Sequence, residues 1–128
     1  MPDSNLNGTN DNILLVDDES LFLELMTELL VAEGINPIAT DSSVNAMDII
    51  DSNEIDLLIT DINMPEVNGI ELAIKTKLKN PPANVIFITG LSEIFEQHKA
   101  RLNFNDYILL KKPFPLDDFV QMVKDLAN

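Results

Sequence analysis

Five short apolar runs alternate with five segments of helical periodicity, and that alternation leaves few folds open. The runs lie at residues 13–16, 35–40, 57–59, 85–88 and 107–110. Runs this short, bounded by polar residues, read as strands, and those without internal polar residues read as strands buried on both faces of a parallel sheet. Strand–helix alternation at this spacing builds right-handed βαβ units with helices on both sides of the sheet. Pro37 removes a backbone donor from the second run and sends that strand to a sheet edge. The strand order 2-1-3-4-5 satisfies this, and its switch point falls between the first and third strands.

The intervening segments carry helix signals. Ser20 is placed to cap a first helix that runs to Gly34 and carries Phe22, Leu25, Met26, Leu29 and Leu30. Ser42 or Ser43 caps a second, with Val44, Ala46, Met47 and Ile50 on its apolar side. Asn68 and Glu71 resemble a capping box for a third, with Ile70, Ala73, Ile74 and Leu78 facing inward and Pro81-Pro82 ending it. Ser92 caps a fourth, with Ile94, Phe95, His98 and Leu102 on one side. Pro115 suits the first turn of a fifth, where Asp117 and Asp118 meet the positive helix end and Phe119, Val120, Val123 and Leu126 face inward. His98 stands alone on its helix and reads as a packing residue.

Composition narrows the function. A chain of 128 residues with 45% hydrophobic residues is expected to form one domain with a real core. Residues 1–11 read as a flexible polar leader and 12–128 as the domain. The leader lacks the basic and apolar regions of a signal peptide, and no apolar run approaches a membrane span. There is no cysteine, hence no disulfide and no thiolate metal site. A cytoplasmic location is the expectation. A formal net charge of −14 repels nucleic acid and anionic membrane, so direct binding to either is not expected.

In open α/β sheets the ligand site lies at the carboxyl edge of the strands. Four strands end there in reactive groups. The first delivers Asp17 and Asp18, the third Asp61, the fourth Thr89 and the fifth Lys112. Neighbouring first and third strands crowd three carboxylates together, which requires a cation. Lys112 is one. A metal is another, and all-oxygen ligands favour Mg²⁺, Mn²⁺ or Ca²⁺, with Mg²⁺ the best fit. Asp61 is then a potential nucleophile, since carboxylates form aspartyl phosphates. Phosphoryl transfer needs charge neutralisation more than acid–base chemistry, and Lys112, Thr89 and the metal supply it. Each feature taken singly is ordinary turn or loop chemistry, and only the combination points to a phosphoryl site.

These residues resemble the receiver domain of two-component response regulators. The likeness covers about residues 12 to 127 and rests on Ile13 to Val16 followed by Asp17-Asp18-Glu19, on Asp61-Ile62-Asn63-Met64-Pro65 followed by Gly69, on Thr89-Gly90, and on Lys112-Pro113-Phe114. It implies a single flavodoxin-like (βα)5 domain in which Asp61 accepts a phosphoryl group from a phosphohistidine of a sensor histidine kinase or histidine phosphotransfer protein. Asp18 and Asp61 would bind Mg²⁺ directly and Asp17 through water, with the backbone carbonyl of Asn63 completing the set. Lys112 would pair with the phosphoryl group, Thr89 would be the switch hydroxyl, and Lys112-Pro113 would be cis. The domain would be a phosphoacceptor that assists its own phosphorylation and dephosphorylation rather than an enzyme. It is expected to stand alone and to signal through a protein partner on the fourth helix, fifth strand and fifth helix, or to serve in a phosphorelay.

The chain departs from the family pattern at several positions. Leu109 stands where an aromatic switch residue is often found, three before Lys112, and Tyr107 is two residues earlier, on the same strand face. The connection 103–106 lacks the small turn residues common there. Lys111 is expected to point away from Lys112. Leu91, two residues after Thr89, is placed to hinder attacking water. Two other readings compete. One is a degenerate receiver that binds a partner without phosphorylation. The other is a phosphohydrolase of the haloacid dehalogenase type, which would need Asp where Asn63 stands, its acidic pair late in the chain, and a cap domain.

Overall fold

The structure, a computed structural model, describes residues 12–127; the leader expected at 1–11 and residue 128 lie outside it. The elements alternate as β1 (Ile13–Val16), α1 (Ser20–Ala32), β2 (Ile38–Thr40), α2 (Ser43–Ser52), β3 (Leu57–Asp61), α3 (Gly69–Lys79), β4 (Asn84–Thr89), α4 (Ser92–His98), β5 (Tyr107–Lys111) and α5 (Leu116–Leu126), with a short 3₁₀ turn at Lys99–Arg101. All strand pairs are parallel and the order is β2-β1-β3-β4-β5. The fold is thus the doubly wound α/β architecture that the alternation dictates, with the short strand that follows Pro37 at an edge.

Strand side chains alternate between two cores, as the pleat requires. Leu14, Val16, Leu58, Val85 and Phe87 pack with α2, α3 and α4, whereas Ile13, Leu15, Leu57, Ile59, Ile86 and Ile88 pack with α1 and α5. Register then aligns the carboxyl ends. Val16 is paired with Thr60, so Asp17 leaves β1 level with Asp61, and Thr89 is paired with Lys111.

Local details differ from the sequence reading, at Ser20 and Glu71 because a tertiary partner outcompetes the local signal. Ser20 does not cap α1. Asp17 accepts from the Glu19 N–H at 2.9 Å, which organises the turn before the helix, and the Ser20 hydroxyl donates to Asp41 at 3.0 Å. Gly34 does end the first helical segment, at φ +83°. β2 is only 38–40, because nothing before Pro37 joins the ladder. Ser42 is the cap of α2, and Asn68 caps α3 through the Glu71 N–H at 3.0 Å. The Glu71 carboxylate turns instead to Arg101, so the capping box is half formed. Ser92 lies inside α4, which has no side-chain cap, and Pro115 is the cap residue of α5 rather than part of its first turn. Leu25, Val44 and Leu78 are exposed, at 39%, 45% and 70%, because the buried stripes run through Met26 and Leu30, through Ala46 and Ile50, and through Leu72 and Thr76.

The loop after β3 is tightly built. Glu66 holds a left-handed φ of 72°. The buried Ser43 hydroxyl donates to the Pro65 carbonyl at 2.8 Å and accepts from the Val67 N–H at 3.2 Å. The Gly69 N–H returns to the Ile62 carbonyl at 2.9 Å, and a Cβ on Gly69 would overlap the Asp61 carbonyl oxygen. Backbone must therefore move to admit any side chain there. Gly69→Ala is expected to cost about 2–3 kcal/mol, read as a lowered midpoint in denaturant unfolding, while Gly90→Ala, where a Cβ meets nothing within 4 Å, is expected to leave the midpoint nearly unchanged.

Candidate functional site

Asp17 follows β1, Asp18 is the next residue, and Asp61 ends β3. One carboxylate oxygen from each lies within 4.8 Å of the others. Asp17 is fully buried and Asp61 only 8% exposed, while Asp18 faces solvent. The Asp61 Oδ1 atom accepts from the Ile62 N–H at 2.8 Å. Lys112 reaches in from the end of β5. Its Nζ is 3.5 Å from Asp17 Oδ2 and 3.2 Å from Glu19 Oε1, and it lies 4.5 Å from the centroid of the Phe22 ring.

Electrostatics follow from this crowding. Burial pushes the Asp61 carboxyl up to about 6, Asp17 and Asp18 push it the same way, and Lys112 and the Ile62 N–H pull against them. Burial likewise raises Asp17, against the Glu19 N–H and Lys112. Burial works to lower Lys112, but the charges of Asp17, Asp61 and Glu19 outweigh it and raise it. One ammonium does not balance three converging carboxylates. The donors are hard oxygens with neither histidine nor cysteine among them, which fits Mg²⁺ or Mn²⁺.

The other expected residues take distinct places. Asn63 is exposed on the braced loop after β3. Thr89 is buried at the end of β4, and its hydroxyl is tied to Leu91, accepting from the N–H and donating to the carbonyl, each at 3.0 Å. Leu109 packs into the same core as Tyr107. Tyr107 lies under α4, 5.5 Å from both the Phe87 and Phe95 rings. The two residues therefore do share a strand face. Lys111 is exposed, and the Lys112-Pro113 bond is cis. Three contributors were not foreseen. Ser43 braces the Asn63 loop, and Glu19 and Phe22 hold Lys112. The Glu19 signal was present in its position beside the acidic pair; for Ser43 and Phe22 only tertiary contact discloses the role.

A doubly wound sheet that gathers three carboxylates at its switch point, with a lysine in hydrogen-bond range of one of them, is the arrangement of a phosphoacceptor domain. Residues 13–124 match the response regulator receiver domain family. The chain is 36% identical over 119 residues to the transcriptional regulatory protein CpxR of Escherichia coli (strain K12), covering 92% of this chain and 50% of that protein. It is 29% identical over 118 residues to the response regulator SaeR of Staphylococcus aureus (strain USA300), covering 91% and 50%. The chain spans about half the length of the curated relatives it matches. Among solved structures, a response regulator receiver protein from Sinorhizobium medicae WSM419 superposes with a TM-score of 0.80 at 28% identity, covering 92% of this chain and 94% of that one. The response regulator TrrA of Thermotoga maritima, in complex with Mg²⁺–BeF, gives 0.74 at 31% identity, covering 91% and 98%. The chain belongs to the response regulator receiver domain family. Members are phosphoacceptors of two-component signalling that bind Mg²⁺ at an acidic pocket and interact with histidine kinases or phosphotransfer proteins. Among the described residues no helix is long and apolar enough to cross a membrane.

The raised Asp61 value has a thermodynamic consequence. Between the ordinary 3.8 and about 6 the metal-free native state binds more protons than the unfolded chain, so the stability tied to this group is present below about 4 and lost as pH rises through 6. Asp61→Asn is expected to stabilise the metal-free protein at pH 7 by about 2 kcal/mol and to flatten its stability between pH 4 and 7. Thermal melts in chelator at a series of pH values test this; an equally steep pH dependence in the variant would contradict it.

Proposed function

We propose that Asp61 accepts a phosphoryl group from the phosphohistidine of a sensor histidine kinase or histidine phosphotransfer protein, in a Mg²⁺-dependent reaction, and that a protein partner reads the result. The observation that carries this reading is the convergence of Asp17, Asp18 and Asp61 within 4.8 Å, with Lys112 at hydrogen-bond range of Asp17. Asp17, Asp18, Asp61 and the Asn63 backbone carbonyl would hold Mg²⁺, or Mn²⁺ in its place, which would offset the charge of the phosphoryl oxygens. The Ile62 N–H holds Asp61 Oδ1, which leaves the other carboxylate oxygen to attack phosphorus. The P–O bond to Asp61 forms as the P–N bond of the donor breaks, and imidazole departs. Lys112 and the Thr89 hydroxyl meet the phosphoryl charge. The TrrA structure, which carries Mg²⁺ and BeF together, supports the same chemistry for this chain.

Donor and output fit different faces. A protein donor must rest on the rim of the site. There Phe22, Lys112, Pro113 and Phe114 line a hollow of about 370 Å³, and Leu21, next to Phe22 in the chain, is 83% exposed. For output, Thr89 must surrender its bonds to Leu91 to reach the phosphoryl group. That loosens the start of α4, which has no side-chain cap and anchors chiefly through Phe95. The α4–β5–α5 face is thus the surface for the downstream partner. The site also assists hydrolysis of its own acyl phosphate, and Leu91, 53% exposed beside Thr89, slows the attacking water.

Incubation with acetyl phosphate and Mg²⁺ is expected to add one phosphoryl mass to the protein, with no gain for Asp61→Asn or in chelator; no gain in the folded wild-type protein, with a cognate phosphohistidine donor also failing, would sink the reading. Leu91→Ala is expected to shorten the phosphorylated lifetime several-fold, followed by the same mass measurement after donor removal.

A further inference from the structure

The hydrogen bonds of Lys112 go to Asp17 and to Glu19, and the shorter is to Glu19, at 3.2 Å against 3.5 Å. Glu19 is not among the three clustered carboxylates, and its side chain is 68% exposed. The Phe22 ring lies under the same ammonium at 4.5 Å. Glu19 is the residue just before α1 and Phe22 lies in the first turn of that helix, so both stand at its N-terminal end. The Phe22 ring does not float. It meets Phe114 edge-on at 6.0 Å, and Phe114 meets the buried Phe119 of α5 at 6.0 Å. The lysine at the site is therefore held from the side at the N-terminal end of α1, by Glu19 through charge and by Phe22 through a braced ring.

An ammonium has three N–H groups and a compact charge, so a new anion on Asp61 competes directly with its existing partners. We propose that Glu19 and Phe22 form a latch that holds Lys112 on α1 in the unphosphorylated protein, and that a phosphoryl group on Asp61 draws Lys112 off it. Both are positioning residues, acting through Lys112. The latch sets how tightly the site retains a phosphoryl group, and its release frees Phe22 and Phe114 at the α1–α5 side of the domain. This rests on the reading of Lys112 as the phosphoryl partner. It also gives the chain a coupling route that does not pass through Leu109.

The test is titration with beryllofluoride, a tetrahedral phosphoryl analogue, at saturating Mg²⁺, followed by backbone amide NMR. Glu19→Gln is expected to bind roughly two- to five-fold tighter than wild type, the worth of an exposed ion pair. Phe22→Leu, which keeps apolar contact and loses the ring face, is expected to bind roughly two-fold tighter. In a Lys112→Met background Glu19→Gln is expected to change nothing. Equal affinity in wild type and Glu19→Gln would overturn the latch, as would the same gain with Lys112 absent, which would mark a general charge effect. Failure of wild type itself to bind beryllofluoride would instead overturn the reading of Asp61.

Discussion

A buried carboxylate beside two others is the constraint from which the rest of this domain follows. Asp61 is 8% exposed with Asp17 fully buried next to it, and burial with like charge holds its proton on to about pH 6. Such a group is stable only if cations answer it. Lys112 answers in part, at the distance of a loose ion pair with Asp17. The remaining negative charge is one that a divalent cation, such as the Mg²⁺ that members of the family bind, would offset.

The scaffold keeps the carboxylates from relaxing apart. β1 and β3 are adjacent central strands, buried on both faces, and their pairing through Val16 and Thr60 places the two acids level. The loop after Asp61 is held by Ser43 from α2 and by the close approach of Gly69 to the Asp61 backbone. Neither loop nor strand end can yield without breaking hydrogen bonds in a packed interior, so the strain of the acidic cluster is retained rather than dissipated.

The periphery is looser. α4 is a seven-residue helix followed by a 3₁₀ turn, and Phe95 is its one fully buried residue, set among Phe87 and Tyr107. Thr89 joins the site to this helix through the Leu91 backbone, and Lys112 joins it to α1 through Glu19 and Phe22. Tyr107 fills the space under α4 from two residues before Leu109, and Leu109 packs against the same core.

Much of this architecture is legible in the sequence. Short apolar runs, turn residues and the Pro37 edge signal dictated the element order and sheet topology, because backbone burial and strand chirality admit few arrangements. Asp17, Asp18, Asp61, Thr89 and Lys112 could be assigned to one edge, since each follows a buried strand. Caps and helix faces were less legible. Ser20 is drawn to Asp41, a partner distant in sequence, Ser92 falls inside α4 rather than before it, and Val44 and Leu78 stand outside the buried helix stripes. The sequence by itself determined the topology and the composition of the acidic edge, because both depend on local pattern and on the parity of strands. Only the tertiary structure decided that Ser43 braces the loop after β3, that Tyr107 lies under α4, and that Lys112 rests on Glu19 and Phe22. Those pairings join residues from separate elements, and only packing fixes which side chains meet.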